Sequence, residues 1–182
     1  MGQPKWDIDT AHSSVGFSVR HLLVSKVRGA FTKWSGSLSF DESAPHESRV
    51  EVTIDAASVD THEPKRDEHL RSGDFLDVAR FPALTFKSTR VEAAGKGRFR
   101  VTGDLTLHGV TREVVLDVED AGRVKDPWGG ERAGFSATAA IDRKEFGIVF
   151  NQVLDAGGLA LGDRIDVAIE IEAVKAAQAK AA

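Results

Sequence analysis

Between Phe99 and Val118 the chain reads FRVTGDLTLHGVTREVVLDV, and no other stretch limits the available folds as strongly. Phe99, Val101, Leu105 and Leu107 alternate with Arg100, Thr102, Asp104 and Thr106; past the break at His108 to Thr111, Val114, Leu116 and Val118 alternate with Glu113 and Asp117. A period of two sends the two sets to opposite faces of a pleated sheet, which predicts an antiparallel hairpin with Gly109 in its turn. One face is apolar, and the rest of the chain has to cover it.

The same alternation recurs along the chain. Val15, Phe17 and Val19 mark a strand over 13–20, and a short helical turn fits the interruption at His21 to Ser25. A long strand follows over 27–40, with Ala30, Trp34, Leu38 and Phe40 facing one way, Phe31 opposed, and Gly29 and Gly36 inviting curvature. Val50, Val52 and Ile54 carry the next strand. A helix is predicted over 64–76, with Thr61 or Glu63 near its start and Pro64 in its first turn. Leu84 and Phe86 precede the hairpin. After a loop at RVKDPWGGERA come Phe135, Ala137, Ala139 and Ile141, then Ile165, Val167, Ile169 and Ile171, on two more strands. About eight two-faced strands need one shared interior, and a closed barrel supplies it without exposed edges. The expected fold is therefore all-β: an eight-stranded antiparallel barrel with a short helix and one longer helix. Trp34, Phe135, Ala137 and Ala139 stand on its inward faces, and the two alanines between larger residues leave room for a ligand.

At 182 residues the chain suits one domain. A formal charge of −4 gives no electrostatic case for nucleic acid. The absence of cysteine removes disulfides, thiolate metal sites and cysteine nucleophiles. No run approaches a membrane span, so no stable membrane insertion is expected. The opening MGQPKWDID has no secretory apolar region, which makes the cytoplasm the expected location. Residues 175–182 are expected to form a flexible tail.

Catalytic signatures are missing. There is no GxSxG, no Walker loop and no GxGxxG ahead of a helix. His62 and His69 lack the i, i+4 spacing of a helical metal pair, and no metal or cofactor is expected. His12, His21 and His108 fall near strand ends, where an imidazole serves either a ligand oxygen or a turn. DRKEFG, residues 142–147, reads as a capped, charged barrel end or as counter-charge for a polar head group through Arg143 or Lys144. The apolar loop over 149–161, with Val149, Phe150, Val153, Leu154, Leu159 and Leu161, is expected to bury apolar surface, either plugging or bordering the barrel mouth or packed down at the end of the barrel.

Four ordered segments carry a family resemblance: WDIDTAHSSVGFSVRHL with VRGAF, RDEHLRSGDFLDVARFPALTFKST, GDLTLHGVTREVVLDV, and AIDRKEFGI. Over roughly Trp6 to Val174 the chain resembles the YceI-like family of polyisoprenoid-binding proteins. The resemblance implies a domain over 6–174, a lipocalin-like barrel with a long apolar channel, and a bound polyisoprenoid such as an isoprenoid quinone or a prenyl phosphate. It implies no common catalytic reaction. Phe17, His21, Phe75, Phe81, Phe86, His108 and Phe146 occupy its motif positions as candidate wall or mouth residues. The expected role is non-catalytic binding, transport or sequestration of a long isoprenoid lipid, and a homodimer stays open. A packed barrel serving as an interaction module and a small-molecule enzyme are the alternatives. A hollow apolar interior separates the first reading from the packed barrel; converging histidines and carboxylates with displaced pKa values would favour the enzyme.

Overall fold

The computed structural model describes residues 3–177. In chain order the strands are β1 (Lys5–Ile8), β2 (Ser14–His21), β3 (Ser25–Phe31), β4 (Trp34–Ser39), β5 (Arg49–Asp55) and β6 (Val59–Asp60). Helix α1 (Pro64–Arg71) follows, and then β7 (Ala83–Gly95), β8 (Arg98–Leu107), β9 (Val110–Lys125), β10 (Glu131–Asp142) and β11 (Leu161–Lys175). All pairings are antiparallel. β11 pairs with β10 along one side and with both β1 and β2 along the other. β1 and β2 thus form one stave interrupted at Asp9–Ser13; β3 with β4, and β5 with β6, form two more. With β7 to β11 the staves number eight, and the first closes on the last: a closed eight-stranded antiparallel barrel of lipocalin-like form.

Polar side chains seal the interruption in the first stave. Asp9 caps the 3-10 turn Thr10–His12 by accepting from the Ala11 amide, and the Ser13 hydroxyl accepts from the Glu172 amide at 2.9 Å. The second stave breaks at Thr32 and Lys33, with a consequence for the faces. From β3 it is Val27 and Phe31 that border the interior, whereas from β4 it is Trp34 and Leu38. Two residues outside the ladder move the alternation by one position, so Phe31 points in and Ala30 does not, the reverse of the expectation from an unbroken strand. The gap at residues 21–25 holds no helical turn: Leu22, Leu23 and Val24 form a three-residue hairpin loop between paired His21 and Ser25.

The hairpin of β8 and β9 is as expected, with His108 and Gly109 both at positive φ, 53° and 71°, in its two-residue turn. β9 continues to Lys125, so the predicted loop shrinks to the turn at 126–130. Helix α1 stops at Arg71 rather than Leu76. Ser72 leaves the helical region and turns carry the chain to Arg80. Glu63 is the cap, accepting from the Arg66 amide at 2.7 Å, and buried Asp67 accepts from the Thr61 amide at 2.9 Å. Short 3-10 turns supply the remaining helical residues. Lys175 belongs to β11 and pairs with Glu131 at 2.8 Å; of the predicted tail, residues 178–182 lie outside the described residues.

Two apolar clusters consolidate the ends around a hollow middle, one of them beside the mouth. At one end Phe40 meets Phe99 and Phe135 edge to face, each at 5.3 Å, beside Trp6, Ala133 and Ala173. The Arg123 guanidinium lies 5.1 Å from the rings of both Phe40 and Phe135 and is held by Asp120 at 2.6 Å. At the other end Val15, Ile54, Leu84, Leu107, Phe146 and Ile148 pack against Phe75, Leu76 and Val78, which follow α1.

A polar clamp ties the aromatic end together. Arg132 on β10 donates to Asp9 at 3.1 Å, to Asp126 at 3.1 Å and to Glu172, joining the break in the first stave, the 126–130 turn and β11. His12 first and then Arg132 hold the Asp9 carboxyl below its ordinary 3.8; the Gly130 amide leads for Asp126, with Arg132 contributing. A carboxylate whose pKa is lowered by folding stabilises the fold above its unfolded value, and that contribution disappears as pH falls through the folded value. The urea midpoint is therefore expected to hold above about pH 4 and to decline below it. Arg132→Met should lower the midpoint at neutral pH and make the acid decline shallower, as measured by urea titration across pH.

Candidate functional site

The barrel interior is a continuous apolar cavity of about 560 Å³. Its walls come from the inward positions of every stave, among them Val15, Val19, Val52, Leu105, Leu116 and Ala137. On β11, Ile165, Val167, Ile169 and Ile171 face inward yet stay half-buried, because the space in front of them is empty. In a packed barrel these would be among the most enclosed side chains.

Eight of the eleven candidate residues border this cavity: Phe17, His21, Trp34, Phe75, Phe86, Phe135, Ala137 and Ala139. Two of the phenylalanines lie over inward glycines. A Cβ on Gly29 would stand 2.5 Å from the Phe17 ring, and one on Gly103 2.5 Å from Phe86, so the missing side chains let both rings rest against the wall rather than fill the channel.

Phe81, His108 and Phe146 do not reach the cavity. Phe81 and His108 meet edge to face at 4.9 Å at the β8–β9 turn, and the His108 Nδ1–H donates to the Phe146 carbonyl at 3.0 Å. Phe146 ends a 3-10 turn with its ring 1% exposed inside the wall cluster. All three sit in or beside turns, where period two no longer says which side of the sheet a residue takes; they brace the barrel from outside its channel.

The mouth is built by segments whose role the alternation did not reveal. From α1 come Arg66, His69 and Leu70, then Phe75 and Leu76; from the loop before β11 come Phe150, Asn151, Gln152 and Ala160, and from the start of β11 Leu161. The His69 ring stands edge-on to Phe75 at 4.9 Å and to Phe150 at 5.0 Å, with Nε2 2.8 Å from Asp74, so helix and loop meet across the opening. Asn151 pins the loop by bonding both the amide and the carbonyl of Leu161. The loop does border the mouth, but half of its apolar residues are turned away: Val149, Val153 and Leu159 are exposed, contrary to the expectation of burial.

Arg143 stitches this mouth from beneath. It is buried, donating through Nε to the Gly162 carbonyl at 2.9 Å and through Nη1 to the carbonyls of Ile148 at 2.8 Å and Phe150 at 2.9 Å. Its Nη2 has no hydrogen-bond partner and lies 3.5 Å from the Asp163 carboxylate, which Lys144 also pairs at 3.0 Å. Burial pushes the guanidinium pKa down, opposed by Asp163 and Asp142. Among the described residues the cavity is bordered by Arg49, Arg66, Arg143, His21 and His69, and by no aspartate or glutamate. With Asp74 behind His69 and Asp163 behind Arg143, the lining offers N–H donors suited to an oxygen acceptor.

Among the described residues, metal ligation finds no open site. Asp9, His12 and Glu172 bring three ligand atoms within 4.8 Å of one another, but outside the cavity and with Arg132 paired to both carboxylates. His62 is almost fully exposed. No helix among the described residues is long and apolar enough to cross a membrane.

Comparison with known proteins agrees with this architecture. The chain is 43% identical over 170 residues to a UPF0312 protein of Vibrio parahaemolyticus, covering 92% of this chain and 86% of that protein. The structure of Burkholderia cenocepacia BcnA superposes with a TM-score of 0.81 at 25% identity, covering 91% of this chain and 99% of the other. A polyisoprenoid binding domain from Saccharophagus degradans, implicated in plant cell wall breakdown, shares the fold with a TM-score of 0.67 at 16% identity, covering 94% and 98%. The model of the YceI-like domain matches residues 6–173, and the chain belongs to that family.

Proposed function

We propose that the protein binds a long-chain isoprenoid lipid without transforming it, holding the tail in the barrel channel and the polar end at the mouth. The observation that carries this reading is the hollow interior: every stave contributes apolar side chains to one cavity that the fold leaves unfilled. Burying apolar surface there gives roughly 25 cal/mol per Å², so retention needs many ordinary contacts and no catalytic geometry. The lining carries the N–H-bearing groups of Arg66, His69, His21 and Arg143 and no carboxylate, with Asp74 and Asp163 standing behind His69 and Arg143, and it suits an oxygen-bearing head group such as a quinone or a prenyl phosphate. The polyisoprenoid-binding domain of Saccharophagus degradans uses the same fold, which supports an isoprenoid over other amphiphiles.

Organic extraction of the purified protein followed by mass spectrometry tests occupancy, and titration with prenyl chains of one head group and increasing length tests the source of affinity. Binding should strengthen by about 1 kcal/mol or more for each added isoprene unit that still fits the channel. Equal affinity at all lengths would overturn the channel as the determinant.

Substitution separates the wall from the brace. Ala139 borders the cavity beside its β11 partner Val167, so Ala139→Phe should abolish prenyl binding while costing less than the ~1 to 3 kcal/mol of overpacking. Phe81→Ala, which removes the ring set edge to face against His108, should instead lower stability by about 1 to 3 kcal/mol and leave prenyl affinity unchanged. Ligand-free urea midpoints and prenyl titrations of both variants are the measurements, since bound lipid raises apparent stability by itself.

A further inference from the structure

Nine large apolar side chains are exposed among the described residues, and six of them, Leu22, Leu23, Val24, Val149, Val153 and Leu159, belong to just two loops. The other three, Val115, Val124 and Trp128, lie on β9 and the turn after it. The two loops form one surface. The Leu22 amide donates to the Ala160 carbonyl at 2.8 Å, and Leu23 with Gly158 and Leu159 borders a shallow hollow between them.

Behind the loops the wall turns inward: His21 at the end of β2, Phe150, Asn151, Gln152 and Ala160 of the second loop, and Leu161 at the start of β11 border the cavity. Outward stand the six exposed residues, so the patch is the rim of the mouth. Leu22 and Leu23 hold φ of 52° and 62°, a region that disfavours side chains of this bulk. Val24 at 83% and Val153 at 80% exposure leave most of their apolar surface in water. Charges flanking the loops are of both signs, with Arg20 and Lys26 side by side across β2 and β3 and with Asp155 and Asp163 nearby in sequence, so the rim is not a patch of one sign.

We propose that this rim docks the protein on a lipid bilayer. The two loops insert their apolar side chains at the boundary of head groups and acyl chains, and the mouth faces the membrane, so that a lipid passes between bilayer and barrel without crossing water. This rests on the lipid-binding reading above. The occupant is a bilayer and not a folded partner or a second copy because the rim is continuous with the opening of an apolar cavity: a protein seated there would stopper the mouth, whereas a bilayer extends the apolar phase into it.

The test is flotation with vesicles of phosphatidylethanolamine and phosphatidylglycerol, comparing the unmodified chain with a variant combining Leu23→Ser, Val24→Ser and Val153→Ser. Binding of geranylgeraniol is measured separately on both proteins, and size-exclusion chromatography reports self-association. These side chains are exposed and border no part of the cavity, so the variant should fold and bind the alcohol as before. The unmodified chain should float with the vesicles, still do so at about 0.5 M salt where charge attraction is screened, and lose about tenfold or more of its vesicle partitioning in the variant. Absence of flotation by the unmodified chain, equal flotation of both proteins, or loss of flotation in high salt would each overturn the proposal. Self-association through the rim without flotation would overturn it in favour of a second copy. Flotation that depends on the rim, without alcohol binding, would leave docking standing and defeat the isoprenoid reading.

Discussion

The hydrogen-bond ladder that closes β1 and β2 onto β11 is the constraint on which the rest of this structure depends. An open sheet of these staves would leave two unpaired edges and one apolar face in water. Closure removes the edges and turns all inward faces toward one another. It also has to tolerate an interrupted first stave, and side-chain groups repair the break: Asp9, Ser13 and the Arg132 clamp stand where a regular ladder is missing. The polar clamp and the backbone ring therefore act on the same few residues.

A hollow barrel gives up the dispersion contacts that fill an ordinary core. Here those contacts are concentrated at the ends. The Phe40, Phe99 and Phe135 cluster under Arg123 closes one end, and the Phe146 and Ile148 cluster with the segment after α1 consolidates the other. The middle is left to aliphatic side chains that project into space. This division makes ligand binding and stability partly separable: the ends hold the barrel, the middle receives an apolar guest, and a guest that binds only the folded chain adds its own stabilisation.

The mouth follows a different logic from the walls. Staves position side chains by alternation, whereas Arg66, His69, Phe150 and Asn151 are positioned by a cap, a buried aspartate, edge-on rings and a side-chain clasp of backbone. Arg143 joins the two regimes, since it leaves the end of β10 and bonds the carbonyls of the loop over the opening. Polar chemistry is thus confined to the mouth and to the far end near Ser48 and Arg49, and the channel between them is apolar.

What the sequence determined by itself was the set of two-faced strands, and hence the barrel. Period-two patterns such as Phe135, Ala137, Ala139 and Ile141, or Ile165 to Ile171, are local, and a strand has only two faces to choose between, so the wall residues were legible from order alone. The pattern failed where a residue leaves the ladder, since the Thr32 and Lys33 break reversed the assignment of Ala30 and Phe31; Phe81, His108 and Phe146, which the family resemblance alone had offered as wall or mouth, sit in or beside turns and lie outside the cavity lining. Only the tertiary structure decided that the interior is hollow, because volume depends on eight staves meeting at once and on rings such as Phe17 and Phe86 lying over glycines of neighbouring strands. It likewise decided which apolar residues of the loop over 149–161 turn inward and which stand in solvent, since irregular backbone carries no period from which a side chain's direction follows.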